Sequence, residues 1–132
     1  MTRQWKITSH PANLRQVRTE LEDFAKSIGM SETFAGDVGL VLNEALANIM
    51  RHGYEGAVDK PILVTAEQGD AELRLLIRDW GKPFDPAVVK QKRAGELSPG
   101  GLGLVCIREL MDDVKFERLS DGMQLRMTKK LV

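Results

Sequence analysis

Residues 32–53, ETFAGDVGLVLNEALANIMRHG, decide how the rest of the chain is read. At about 100° per residue, Val38, Val41, Leu42, Ala45 and Ile49 fall on one face. That face predicts a helix packed on a sheet. Ser31 is a good N-cap before it, and Gly53 ends it, so the helix is expected over Glu32–His52. Glu44 and Asn48 sit one turn apart at the edge of the apolar stripe, and His52 continues the line. One reading of this polar ridge is a solvated flank, with Glu44 and Asn48 as a surface pair. The other is a carboxylate and an amide lining a pocket beside the core. Mg²⁺ takes oxygen ligands, few of them from protein. The Asn48 amide oxygen can be one such ligand, and it adds no charge that would repel a triphosphate. Glu44 could accept a proton from an attacking oxygen. His52, next to Gly53, reads first as a capping or packing residue.

Upstream, Trp5–Ser9 reads as a short strand. Pro11 suits a helix start, and Leu14, Val17, Leu21, Phe24 and Ile28 recur at three- and four-residue steps until Gly29. Downstream lies a polar loop, Tyr54–Asp59, and then β-rich sequence. Ile62, Val64 and Ala66 alternate with polar or small residues, and Gly69-Asp70 suggests a hairpin turn into the strand Leu73–Arg78. Asp79-Trp80-Gly81-Lys82-Pro83 ends that strand. Asp85–Arg93 has room for a short helix. Ala94–Gly101, with three glycines and Pro99 in eight residues, is expected to hold no regular helix. A third helix is expected over Leu104–Met111. The strands Val114–Arg118 and Met123–Leu131 flank a turn at Ser120-Asp121-Gly122.

The order β-α-α-β-β-α-β-β predicts an α/β (α+β) two-layer sandwich, a mixed, mostly antiparallel sheet with helices on one face. It is not the alternating order of a Rossmann domain. Nothing divides residues 1–132, so a single domain is expected. Nineteen acids balance nineteen bases, so no global field draws the chain to nucleic acid or membrane. With one cysteine, Cys106, no internal disulfide forms, which fits a reducing compartment. Cys106 lies in an apolar helix and reads as a small buried residue. No apolar run approaches the roughly 18 residues of a membrane span, and Met1–Lys6 leads into no signal-peptide core. The cytoplasm is the expected address. His10, His52 and Cys106 have no metal-ligand spacing.

Two glycine-rich turns remain. Asp79 follows the apolar run Leu75-Leu76-Ile77, where a carboxylate is costly without a donor. The adenine 6-amino group is one candidate, and Gly81 allows close approach of a flat ring. Gly100-Gly101-Leu102-Gly103 opens the third helix, where free backbone N–H groups form an anion site. The same run also fits a plain flexible loop. Neither the Walker spacing nor Gly-x-Gly-x-x-Gly is present.

Taken together, these segments resemble the GHKL superfamily of ATPases and kinases, and within it the bacterial anti-sigma factor serine/threonine kinases. Residues Glu44–Tyr54 look like that family's N box. Asp79–Pro86 looks like its first glycine box. Gly100–Leu104, followed by Arg108-Glu109-Leu110-Met111-Asp112, looks like its second. The resemblance implies ATP and Mg²⁺ as cofactors. Glu44 would be general base for a serine or threonine hydroxyl, and Asn48 would bind Mg²⁺. Asp79 would read adenine, with Gly81 shaping that pocket, and Pro83 and Phe84 would also belong to the nucleotide site. Gly101 and Gly103 would border the phosphates in a mobile lid, and Gly100, Leu102, Leu104 and His52 of the N box would also belong to the nucleotide site. Pro83 stands where many superfamily members carry a second glycine, although the serine-kinase branch often has Pro-Phe-Asp there. The lid between Phe84 and Gly100 is short, and its cluster Lys90, Lys92 and Arg93 reads as exposed charge or as a phosphate contact. The implied partner is a STAS-domain anti-anti-sigma protein, with a sigma factor and a second copy of the chain as further partners. A sensor histidine kinase is not expected, because no dimerisation hairpin precedes residue 1 and His10 lies outside any long helical pair. The rival readings are a nucleotide-dependent module that sequesters a sigma factor without chemistry, and a plain ATPase or adaptor with a vestigial pocket.

Overall fold

The computed structural model describes residues 1–83 and 99–132, with side chains from 105 onward in the second stretch. The elements are β1 (Thr2–Thr8), a 3₁₀ turn (Pro11–Asn13), α1 (Leu14–Ser27), α2 (Glu32–Asn48) and a π turn (Ile49–Gly53). Then come β2 (Pro61–Gln68), β3 (Glu72–Asp79), α3 (Pro99–Leu110), β4 (Asp113–Leu119) and β5 (Gly122–Lys130). Among the described residues, five strands form one sheet in the order β1-β2-β3-β5-β4. Every neighbouring pair is antiparallel, so the expected mixed sheet is antiparallel throughout.

Pleating puts alternate side chains on opposite faces. Ile62, Val64, Ala66, Leu73, Leu75, Ile77 and Met127 are buried on the inner face. Against them sit Val38, Val41, Leu42, Ala45 and Leu46 of α2, each 3% exposed or less. Helices α1 and α3 pack on α2, and the apolar residues of all these elements form one core. Each fully buried Leu, Val or Ile contributes about 1.5–3 kcal/mol. The expected cap holds: the Phe34 N–H donates to Ser31 Oγ at 3.1 Å.

Several boundaries differ from the sequence reading, each for a local reason. β1 starts at Thr2 because its pairing with β2 continues to Thr2↔Glu67. Ser9 leaves the strand, and its buried hydroxyl donates to the Ala57 carbonyl and accepts from the Lys60 N–H. In the β2–β3 turn the left-handed position falls on Ala71, φ +58°, rather than on Gly69. α3 begins at Pro99, not Leu104. Proline lacks an N–H and has φ preset, so at the first helical position it starts a helix instead of barring one. The region expected to hold a short helix, Asp85–Arg93, lies outside the described residues.

At its far end, α3 is tied down by Lys129. The buried ammonium donates to the Leu110 carbonyl at 2.6 Å and lies 4.3 Å from the Phe34 ring centroid. A cation at a helix C-terminus also complements the helix dipole. One residue of β5 therefore fixes α3 relative to α2, and with it the start of α3 where Gly100 and Gly101 lie.

Candidate functional site

The α-helical hydrogen bonding of α2 stops at Asn48. The chain then makes one π turn, in which the Tyr54 N–H reaches back to the Ile49 carbonyl at 2.8 Å. A π turn is wider than an α turn and recurs at functional sites. It breaks the ridge expected through Glu44, Asn48 and His52. Asn48 is buried, Glu44 is half-buried, and His52 is exposed and outside the cavity lining.

Asn48 and Asp79 line the same small, partly open cavity. Ala45, Ile49, Ile107, Met123 and Leu125 give it an apolar lining. The Asn48 Oδ1 is buried and meets no hydrogen-bond donor among the described residues. Leaving a buried acceptor unsatisfied costs about 1–3 kcal/mol, so natural cores rarely keep one without a use. A neutral amide oxygen on the wall of a cavity suits a hard cation that draws its other ligands from phosphate and water. Among the described residues, no group of three or more His, Cys, Asp and Glu could hold a metal by itself. The unpartnered Asn48 Oδ1 is the observation that fits an ion carried in with a nucleotide.

Asp79 is 5% exposed. The Gly81 N–H donates to its Oδ1 at 2.9 Å. Burial pushes its carboxyl above the usual carboxylate range, while the Gly81 N–H, the Arg78 charge and the Met123 backbone pull it back. A partly satisfied, desolvated carboxylate is a strong acceptor for an amino group. Two glycines make this corner possible. A Cβ on Gly81 would lie 2.5 Å from the Gly53 carbonyl oxygen. The expectation that Gly81 serves the approach of a flat ring is thus joined by a backbone reason. Gly122 has φ +138°, and a Cβ there would lie 2.2 Å from the Asp79 carbonyl oxygen. Only glycine lets β5 start beside the end of β3.

Glu44 does not line the Asn48–Asp79 cavity. It stands one turn before Asn48, near enough to α3 for its charge to act there. There the Cys106 thiol is pushed up first by burial, then by the charges of Glu44, Glu109 and Asp37. At the start of α3, Gly100 and Gly101 carry N–H groups that the helix leaves without internal acceptors. Gly103 lies a turn further in. Pro83, after β3, is half-buried. Phe84, Lys90, Lys92 and Arg93, and the side chains of Leu102 and Leu104, lie outside the described residues.

Sequence reasoning missed Tyr54 and the β4–β5 contribution from Phe116, Met123 and Leu125. The Ser120-Asp121-Gly122 turn announced that β4 and β5 pair. Nothing local announced that β5 also pairs with β3, opposite Asp79.

Residues 7–129 match the profile of the histidine kinase-like ATPase domain. The chain belongs to that family. A serine-protein kinase RsbW of Listeria innocua is 30% identical over 132 residues, covering 94% of this chain and 83% of the relative. One from Bacillus velezensis is 30% identical over 137 residues, covering 97% and 84%. Within the histidine kinase-like ATPases, the chain therefore falls in the RsbW serine-protein kinase group. Among solved structures, the RsbU and RsbW domains of a Mycobacterium tuberculosis protein superpose with a TM-score of 0.75 at 20% identity. The match covers 99% of this chain and 32% of that one. A blue-light activated histidine kinase of Erythrobacter litoralis gives 0.61 at 17% identity, over 77% of this chain and 32% of that one. At these identities the structures speak for the fold. Family membership makes ATP the ligand of this histidine kinase-like ATPase domain. No described helix is long and apolar enough to cross a membrane.

Proposed function

We propose that the chain is an ATP-dependent protein serine/threonine kinase of the anti-sigma type that phosphorylates a STAS-domain anti-anti-sigma protein. The observation that carries this reading is the buried, unsatisfied Asn48 Oδ1 on a cavity wall shared with Asp79. Asp79 accepts from the adenine 6-amino group. Asn48 contributes one oxygen to Mg²⁺. The free N–H groups of Gly100 and Gly101 face the phosphates. Mg²⁺, when bound with the nucleotide, neutralises charge on the phosphate oxygens.

Glu44 takes the proton of the incoming seryl or threonyl hydroxyl. The hydroxyl oxygen bonds to the γ-phosphorus as the bond from that phosphorus to the bridging β–γ oxygen breaks, and ADP leaves. Phosphoryl transfer needs mainly positioning and charge stabilisation, so this short set of groups is sufficient. In the regulatory cycle that follows from this reading, the chain acts as a homodimer. It holds a sigma factor, and exchanges it for the unphosphorylated STAS protein.

The test is incubation of the chain with labelled ATP, Mg²⁺ and a purified STAS-domain protein. Acid-stable label on serine or threonine of the STAS protein is the expected result. A nucleotide-dependent complex with a sigma factor and no label on any STAS protein would replace the kinase by a sequestering module.

A further inference from the structure

Tyr54 is the chain's one tyrosine, and the chemistry above does not use it. It follows the π turn directly and is 9% exposed. Its hydroxyl donates to the Pro61 carbonyl where β2 begins, and it accepts the Trp80 N–H at 2.8 Å. Trp80 stands between Asp79, which would read adenine, and Gly81. Two residues further along, the Lys82 N–H donates to the Gly53 carbonyl at 2.7 Å. Two crosslinks thus join the end of the Asn48 helix to the turn that carries Asp79. Between them Gly81 lies so close to Gly53 that a Cβ would not fit. Burial raises the phenol above its ordinary range, so the hydroxyl keeps the proton it gives to Pro61.

We propose that Tyr54 is a positioning residue for the nucleotide: its hydroxyl sets the Asp79–Gly81 turn at a fixed separation from Asn48. This rests on the nucleotide reading given above. A nucleotide must meet Asp79 with its base and Asn48 with its metal at the same time. The two groups belong to different elements, β3 and α2; strand pairing holds Asp79 itself, and the turn after it is tied to the helix end by the Lys82–Gly53 bond and by Tyr54. The Tyr54 hydroxyl is the tie nearer to Asp79, because it holds the turn at Trp80 and the start of β2 with a single oxygen. Preorganisation of this kind raises affinity by lowering the ordering cost on binding. It leaves the transfer step untouched once the nucleotide is seated.

The experiment is Tyr54→Phe, which keeps the ring and its packing and removes only the hydroxyl. Calorimetry with ADP and with ATP plus Mg²⁺ should show Kd raised about three- to tenfold. KM for ATP should rise with it, while kcat at saturation stays within about twofold. Amide exchange should show lost protection at Trp80, with Val64 and Ile77 in the sheet unchanged. A merely structural role would lower Tm and the active fraction, and so the apparent kcat, with Kd unmoved. That pattern, or a Kd within about twofold of the parent, overturns the assignment. Should Tyr54→Phe fold poorly, Gly81→Ala wedges the same clasp open from the other side, and an unchanged ADP Kd there overturns it equally. Failure of the parent itself to bind ADP would instead remove the nucleotide reading on which the assignment stands.

Discussion

Asp79 and Glu44 are both carboxylates placed near the end of α2, and the protein treats them in opposite ways. Asp79 is 5% exposed, fixed by the Gly81 N–H, and boxed in by the starts and ends of β2, β3 and β5. Glu44 is half-buried on α2, and its charge reaches Cys106 of α3. A group that recognises a flat base gains from being immobile before the ligand arrives. A group that takes a proton from an incoming protein side chain must instead be reachable from outside. On the proposed reading, the contrast separates a recognition corner, built from strands and backbone, from a chemical seam beside α3.

The sharpest way to break that contrast is Glu44→Gln. Phosphoryl transfer to the STAS protein should fall by about 10²- to 10⁴-fold, the usual worth of a general base. Affinity for ATP should stay within about twofold, because Glu44 does not line the cavity with Asn48 and Asp79. Transfer that persists at the parental rate would deny Glu44 the base role and leave it a surface acid.

Asp79→Asn probes the other side. It removes the charge and leaves the size. Loss of a hydrogen bond to a charged group costs about 1.5–3 kcal/mol, so the Kd for ADP should rise tenfold or more. At saturating ATP, kcat should survive, since on the proposed reading Asp79 meets the base and not the transferring phosphoryl. If calorimetry gives the parental Kd, the adenine corner lies elsewhere.

Gly122→Ala tests whether the corner depends on its backbone. The new Cβ would meet the Asp79 carbonyl and Trp80 Cα, and φ +138° is strained for any other residue. Overpacking of this kind costs about 1–3 kcal/mol, read as a drop of several degrees in Tm. ADP affinity should fall alongside, because the residue displaced is Asp79 itself. A variant with parental Tm would show that the β5 start has slack.

These residues also mark how far the sequence could be read. The apolar stripe of α2 and the alternation in β2 are periodic, and periodicity follows directly from helix and strand geometry. Val38, Val41, Leu42, Ile62 and Val64 all lie in the core as that geometry requires. Asn48 and Asp79 were legible as polar residues at apolar addresses. Their shared cavity was not, because it depends on β5 entering the sheet beside β3, a pairing across some 45 residues that no local pattern encodes. His52 was placed on the Glu44–Asn48 line by assuming a continuous α-helix. The π turn shifts the phase there, and no propensity marks where an extra residue enters a turn. Pro99 carries the residue type of a breaker, but its first-turn position makes it a starter. Tyr54 carries no local signal of its role, since its partners, Pro61 and Trp80, are distant along the chain.

The smallest predicted effect follows Asp79 through pH. Burial raises its carboxyl in the folded chain above the unfolded value. On acidification the folded state therefore takes up the proton first. Stability linked to this group is full below the unfolded pKa and is lost as pH rises through the folded one. Asp79→Asn has no such group. The Tm of the parent minus that of Asp79→Asn should thus be most favourable to the parent in acid, near pH ~4, and shrink or reverse by about pH 7. A swing of a few degrees is expected. ADP affinity of the parent should move the other way and weaken in acid, because a protonated carboxyl is a poorer acceptor for the adenine amino group. A flat Tm difference across that window would mean that Asp79 is solvated, and the division between a dry recognition corner and an open chemical seam would fail with it.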